Sequence, residues 1–150
     1  MAHTYSSIYF HYIFSTKNQQ KIIKEDLRQR LWAFMGGIAR KNDMVALSVG
    51  GVEDHVHLLL ILPSRISVSR AIQLIKGGSS HWIHTTFPHY KNFKWQEGYG
   101  VFSVSRSKIN DLERYIYSQK EHHRIRSFRE EYVAFLKNHC LTSDSRYVWG

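Results

Sequence analysis

The stretch that most constrains the fold is His55-Val56-His57-Leu58-Leu59-Leu60-Ile61-Leu62, an apolar run that follows Asp54 and stops at Pro63. Its length, its branched residues and the proline at its end describe a buried β-strand. Side chains on a strand alternate between faces, so Val56, Leu58, Leu60 and Leu62 point together into a core. His55 and His57 then project from the opposite face, about 7 Å apart along the strand. One histidine at a strand end is commonly a hydrogen-bonded structural residue. Two at i, i+2 on a buried strand are also the pattern of a metal-binding pair, and the residues by themselves leave both readings open.

The surrounding pattern supplies partners for this strand. Residues 6–15 alternate Ile8, Phe10, Tyr12 and Phe14 with Tyr9, His11 and Ile13, a first strand. Residues 24–42 carry Leu27, Leu31, Phe34, Met35 and Ile38 at helical spacing. Residues 44–49 form a second strand, and Gly50-Gly51 is expected to turn into the histidine strand. Ser67 is placed to cap a helix with Val68, Ala71, Ile72 and Ile75 on its apolar side, running through Gly77-Gly78 toward Ile83. Residues 101–104 read as a fourth strand. The order β-α-β-β-α-β predicts an α+β, ferredoxin-like antiparallel sheet with two helices on one face. Two C-terminal helices follow, from residues 107–110 to about His122 and from about Phe128 to His139. The charged segment 121–127 reads as a hinge, and the tail 141–150 as loosely held.

Composition bounds the class. Hydrophobic residues make up 43% of 150, with two prolines, which describes one globular domain over residues 1–150 rather than a disordered chain. No stretch approaches the roughly 18 apolar residues that span a bilayer, and the N-terminal residues lack a signal-peptide pattern. No membrane partner is therefore expected. The single Cys140 fits a reducing cytoplasm and rules out a multi-cysteine zinc site. Lysine and arginine number 21 against 12 acids, a net charge of +9, more than solubility asks of a domain this small. Between Arg106 and Arg129 stand seven basic residues and three acids. Arg106, Lys108, Arg114, Lys120, Arg124 and Arg126 are the candidate DNA contacts, because such charge favours polyanions through counterion release. Aromatic residues, 14% of the chain, offer surfaces on which single-stranded bases stack.

Chemistry can join the histidines from the penultimate helix. Tyr115 and Gln119 are four residues apart and share a helix face, His122 lies on the same side, and Tyr117 points nearly opposite. If that face packs over the sheet, a phenol, an amide oxygen and an imidazole approach His55 and His57. Ordinary amphipathic packing of Tyr115 beside Ile109, Leu112 and Ile116 accounts for the same spacing. His11, His81, His84, His89 and His123 read as structural or DNA-contacting.

The chain resembles the single-tyrosine HUH transposases, the TnpA type of very small bacterial insertion sequences, and the related REP-associated tyrosine transposases. The resemblance rests on His11-Tyr12-Ile13-Phe14-Ser15-Thr16-Lys17, Asp54-His55-Val56-His57-Leu58-Leu59, residues 95–105 from Trp95-Gln96-Glu97 onward, and Tyr115-Ile116-Tyr117-Ser118-Gln119-Lys120-Glu121-His122-His123. His-hydrophobic-His occurs widely by chance; joined to Tyr-Ile-x-x-Gln some sixty residues later in a basic chain, it is specific.

The resemblance implies an HUH endonuclease fold and cleavage and rejoining of single-stranded DNA at hairpin-bearing element ends. It implies a divalent cation held by His55, His57 and Gln119, magnesium with manganese able to substitute, His122 being an alternative or additional ligand. Tyr115 would attack a phosphodiester to give a 5′-phosphotyrosine and a free 3′-hydroxyl. It also implies a homodimer, with Tyr115 acting in cis or in trans, in the cytoplasm of a bacterium or archaeon, at the nucleoid. A domesticated REP-associated nuclease and a ferredoxin-like nucleic-acid-binding module without catalysis are the alternatives.

Overall fold

The apolar run forms β3 (His55–Ile61), and its position explains why it is so apolar. In the computed structural model, which describes residues 3–141, 148 and 149, β3 lies inside a four-stranded sheet of order β2-β3-β1-β4. The other strands are β1 (Tyr9–Ser15), β2 (Val45–Gly51) and β4 (Gly100–Val104), and every pairing is antiparallel. With α1 (Glu25–Lys41) after β1 and α2 (Val68–Thr86) after β3, the chain has the expected ferredoxin-like α+β order. β1 starts later than its alternation suggests, at Tyr9. In the β1–β3 register Ile13 faces His57 and Ser15 faces His55.

The sheet has one face for packing and one for chemistry. Val56, Leu58, Leu60 and Leu62 join Tyr12 and Phe14 under α1 and α2, in a core of nineteen buried residues among those described. α1 brings Leu27, Leu31 and Met35 to it at helical spacing, with acids in its first turn and Arg40 and Lys41 in its last, as the helix dipole favours. Ser67 caps α2 by accepting the backbone N–H of Arg70 at 3.0 Å. The glycine pair does not end α2. At Gly78 a Cβ would lie 2.8 Å from Ile38 Cδ1, so the missing side chain lets α1 and α2 close on each other. The opposite face of the sheet carries His11, Ile13, His55, His57 and Phe102.

Several boundaries differ from the sequence reading for local reasons. Gly50 and Gly51 belong to β2, and the reversal falls on residues 52–54. Gly50 is needed there because a Cβ would meet the Ile116 carbonyl oxygen at 2.8 Å, where the next helix seats on β2. The penultimate helix is two helices, α3 (Ile109–Tyr117) and α4 (Gln119–Ile125), broken at Ser118. Ser118 leaves helical geometry (φ −97°, ψ 25°), and its hydroxyl donates at 2.8 Å to the Arg114 carbonyl, which also accepts the Ser118 backbone N–H at 3.1 Å. Most of the expected hinge is therefore helical, and only Arg126 and Ser127 are extended before α5 (Phe128–Asn138). Of the tail, residues 142–147 and 150 lie outside the described residues. Trp149 is held rather than loose, packing against Phe128 and Tyr132 with the Arg129 guanidinium 4.7 Å above its ring.

Candidate active site

β3 delivers two imidazoles to the free face of the sheet, and three helices converge on them. His55 and His57 are fully buried, both 0% exposed. His55 Nδ1–H donates to Asp54 Oδ1 at 2.6 Å, which turns its Nε2 inward, 3.0 Å from Gln119 Oε1. Gln119, the first residue of α4, also donates through its amide nitrogen to the Tyr115 carbonyl at 3.3 Å. Tyr115, at the end of α3, stands edge-on to His57 with ring centroids 5.8 Å apart. The structure therefore brings His55, His57, Tyr115 and Gln119 to one point, while Tyr117 is 93% exposed on the far side of its helix.

Two further residues, whose part sequence reasoning missed, complete the cluster. Glu131 of α5 is fully buried, and its Oε1 lies 3.0 Å from His57 Nε2, 3.3 Å from His55 Nε2 and 3.2 Å from His123 Nε2. Its other oxygen, Oε2, accepts the Tyr115 hydroxyl. His123 comes from α4 and packs its ring 4.3 Å from that of His55. His122 points elsewhere, stacked on the Tyr115 ring at 4.4 Å and bonded to Ser118 Oγ at 3.1 Å. A sequence signal for Glu131 existed: it is an acid in the apolar stripe of α5 formed by Phe128, Tyr132 and Leu136. His123, four residues after Gln119 within α4, shares its helix face.

The electrostatics follow from burial. Burial alone would lower the His55 pKa, but the Asp54 hydrogen bond and the neighbouring Glu131 outweigh it and raise it to about 9. Burial keeps His57 below its ordinary value. Burial would raise the Glu131 carboxyl, yet the imidazole nitrogens facing it hold it well below the usual carboxylate range. Burial, then the Glu131 charge and hydrogen bond, push the Tyr115 phenol well above its usual value. Behind this layer, His11 Nε2 and His57 Nδ1 are 2.8 Å apart. Since Glu131 can only accept, a neutral His57 donates from Nε2 and accepts from His11; in the other tautomer His57 donates to His11 and frees Nε2 as a lone pair.

The donor set suits a divalent cation. The ligand atoms of His55, His57, His123 and Glu131 all lie within 4.8 Å of one another. His123 Nε2 is buried and, although 3.2 Å from Glu131 Oε1, makes no hydrogen bond. A buried donor atom without a bond, aimed into a ring of imidazoles and a carboxylate, is what an ion would satisfy.

The expected DNA-contacting residues are spread over several surroundings. Lys108 lines a cleft of about 630 Å³ shared with Tyr115, His11 and Phe135. Arg106 donates to the Tyr9 hydroxyl at 3.3 Å. Arg114, Lys120 and Arg124 are exposed and pair with Asp111, Glu25 and Glu121, surface pairs that a polyanion can outcompete. Arg126 is close enough to Tyr115 to oppose the rise in its pKa.

Comparison with known proteins accords with this geometry. The family model described as "Transposase IS200 like" matches residues 4–119. The ISDra2 transposase TnpA of Deinococcus radiodurans is 23% identical over 117 residues, 75% of this chain and 84% of that protein. The transposase of insertion sequence element IS200 from Salmonella typhimurium is 27% identical over 118 residues, 74% of this chain and 78% of that one. Among solved structures, a Deinococcus radiodurans protein described as a transposase superposes with a TM-score of 0.66 at 23% identity, covering 79% of this chain and 95% of that one. A REP-associated tyrosine transposase bound to a REP hairpin gives 0.61 at 17%, covering 82% and 73%. At those identities the structural likeness establishes the fold. The match to the family model over most of the chain goes further: the protein belongs to the IS200-like transposases.

Proposed function

We propose that this chain, acting as one domain over residues 1–150, cleaves and rejoins single-stranded DNA at hairpin-bearing ends through Tyr115. The observation that carries the proposal is the meeting of a tyrosine hydroxyl, two strand histidines and a helix amide at one buried point. In the reaction Tyr115 Oη attacks the scissile phosphorus, the bond to the 3′ oxygen breaks, and the chain holds a 5′-phosphotyrosine. The phosphotyrosine conserves the energy of the phosphodiester, so a 3′-hydroxyl can reverse the step at a new junction. His55, His57 and Gln119 would hold the divalent cation, magnesium with manganese able to replace it, and His123 is placed to add a fourth donor. When bound, that cation polarises the phosphate and stabilises the departing oxygen. Asp54 and His11 orient the two strand imidazoles by bonding their inner nitrogens.

Arg106, Lys108, Arg114, Lys120, Arg124 and Arg126 would grip the strand and hairpin, and the enzyme would act as a homodimer at the bacterial or archaeal nucleoid. Among the described residues no helix is long and apolar enough to cross a membrane. Incubation with magnesium and end-labelled hairpin DNA should attach only the downstream fragment to protein on a denaturing gel, and peptide mapping should place it on Tyr115. No adduct across a broad set of hairpin strands would favour a non-catalytic nucleic-acid-binding module.

Affinity should also fall steeply with salt. Each phosphate neutralised contributes about 0.7 to 0.9 to the slope of log affinity against log salt. Changing Arg124 and Arg126 together to alanine should flatten that slope by about 1 to 2. A slope unchanged in the double variant would take those residues off the DNA path.

A further inference from the structure

Tyr115 lines a cleft, but the residues it faces are out of reach of a polymer. His55, His57 and Glu131 are 0% exposed and Gln119 1%. A DNA phosphodiester cannot meet them until something moves; α4 covers them through Gln119 and His123, and α5 through Phe128 and Glu131. Glu131 fills the centre of the cluster in a particular way. One of its oxygens faces the nitrogens of His55, His57 and His123, and the other accepts the hydroxyl of Tyr115. A phosphodiester under attack by Tyr115 must place its non-bridging oxygens on that same side of the site, against the same nucleophile. We propose that Glu131 is a built-in stand-in for the scissile phosphodiester, and that α5 is a hinged cover which the DNA strand displaces. This rests on the transposase reading above.

Four features favour displacement over a permanent seat. First, the exchange is charge for charge: a buried carboxylate with one negative charge leaves as a phosphodiester with one negative charge enters. Without the cation, the imidazoles therefore never face an unbalanced interior, the costly alternative. Second, α5 is lightly held. Among the described residues its apolar seat has five buried members, Ile13, Phe102, Phe128, Tyr132 and Leu136, with Phe135, Val148 and Trp149 half-buried beside them, against nineteen buried on the other face of the sheet. Third, α5 can move as a body. A capping box, with Ser127 accepting from the Glu130 backbone and Glu130 from the Ser127 backbone, closes its N-terminus without help from the sheet. The extended pair Arg126 and Ser127 supplies the joint. Its outer clasp, Arg129 to Gln19 Oε1 at 2.9 and 3.1 Å, is exposed and so cheaply broken. Fourth, α5 lies beyond residues 4–119, the span that the family model matches.

Hydrogen exchange on the unmodified protein tests this without any risk to folding. In chelator, with a hairpin-bearing single strand that the protein binds, amides of residues 128–138 should exchange about tenfold faster or more than in free protein, while those of β1 and β3 stay protected. Two variants extend the test. Glu131→Gln keeps the shape and removes the charge, and Tyr132→Ser loosens the seat away from the Tyr115 hydroxyl. Both should raise α5 exchange without DNA and tighten strand binding severalfold. If α5 stays as protected in the DNA complex as before, or Glu131→Gln weakens strand binding, the cover is refuted while the cleavage reading stands. If no single strand binds at all, both fall together.

Discussion

Replacing Tyr115 by phenylalanine is expected to end strand cleavage, with a loss of at least about a thousandfold in the single-turnover rate, since the phenol oxygen is the atom that takes the phosphate. The variant should still fold. It deletes one oxygen from a half-buried ring whose stacking on His122 and edge contact with His57 are made by carbon atoms. The loss falls on Glu131 Oε2, which gives up its hydroxyl partner, at a cost of about 1 kcal/mol in stability. Tyr117→Phe is the matched control: at 93% exposure it touches little, and both cleavage and melting temperature should stay near those of the parent. Cleavage rates on a labelled hairpin strand, read beside thermal unfolding, separate chemistry from folding. A Tyr115→Phe protein that cleaves at a near-parental rate, or an adduct found on Tyr117, would move the nucleophile elsewhere.

What could be read from the sequence was whatever depends on neighbours along the chain. The two-residue period of β3 places Leu58 and Leu60 in the core and His55 and His57 opposite them, and the structure has them so. Ser67 capping α2 and the i, i+4 relation of Tyr115 and Gln119 are equally local, and the latter pair still converges although Ser118 splits the helix between them. Gly50-Gly51 misled because glycine serves a turn and a close approach alike. The carbonyl of Ile116 that makes the second role necessary comes from 66 residues further on. Glu131 and His123 were beyond reach for the same reason. Nothing local says that α5 folds back across the sheet, and an acid within an apolar stripe marks burial without naming its partner. His122 and His123 are adjacent, three and four residues after Gln119, and helical spacing alone does not separate them.

The strand histidines should prove as costly to lose as the tyrosine, by a different route. His57→Ala and His55→Ala are each expected to reduce cleavage at least about a thousandfold at saturating magnesium, and to weaken manganese binding about ten- to a hundredfold when it is followed by electron paramagnetic resonance. Neither should unfold the protein, because the nineteen-residue core lies on the other face of the sheet. Their stabilities should nonetheless differ. His57 holds His11 behind it, whose buried nitrogen is stranded when the ring goes, while Glu131 in front keeps His55, His123 and Tyr115. His55 holds Asp54, which is partly exposed and can turn to water, and faces Gln119 and Glu131, which both keep other partners. His57→Ala should therefore melt lower than His55→Ala, by about 1–3 kcal/mol in unfolding free energy. Gln119→Ala should retain more cleavage than either, since a water can replace one neutral oxygen donor while an imidazole nitrogen has no such substitute. Undiminished manganese binding and cleavage in either histidine variant would remove the cation from this face of the sheet.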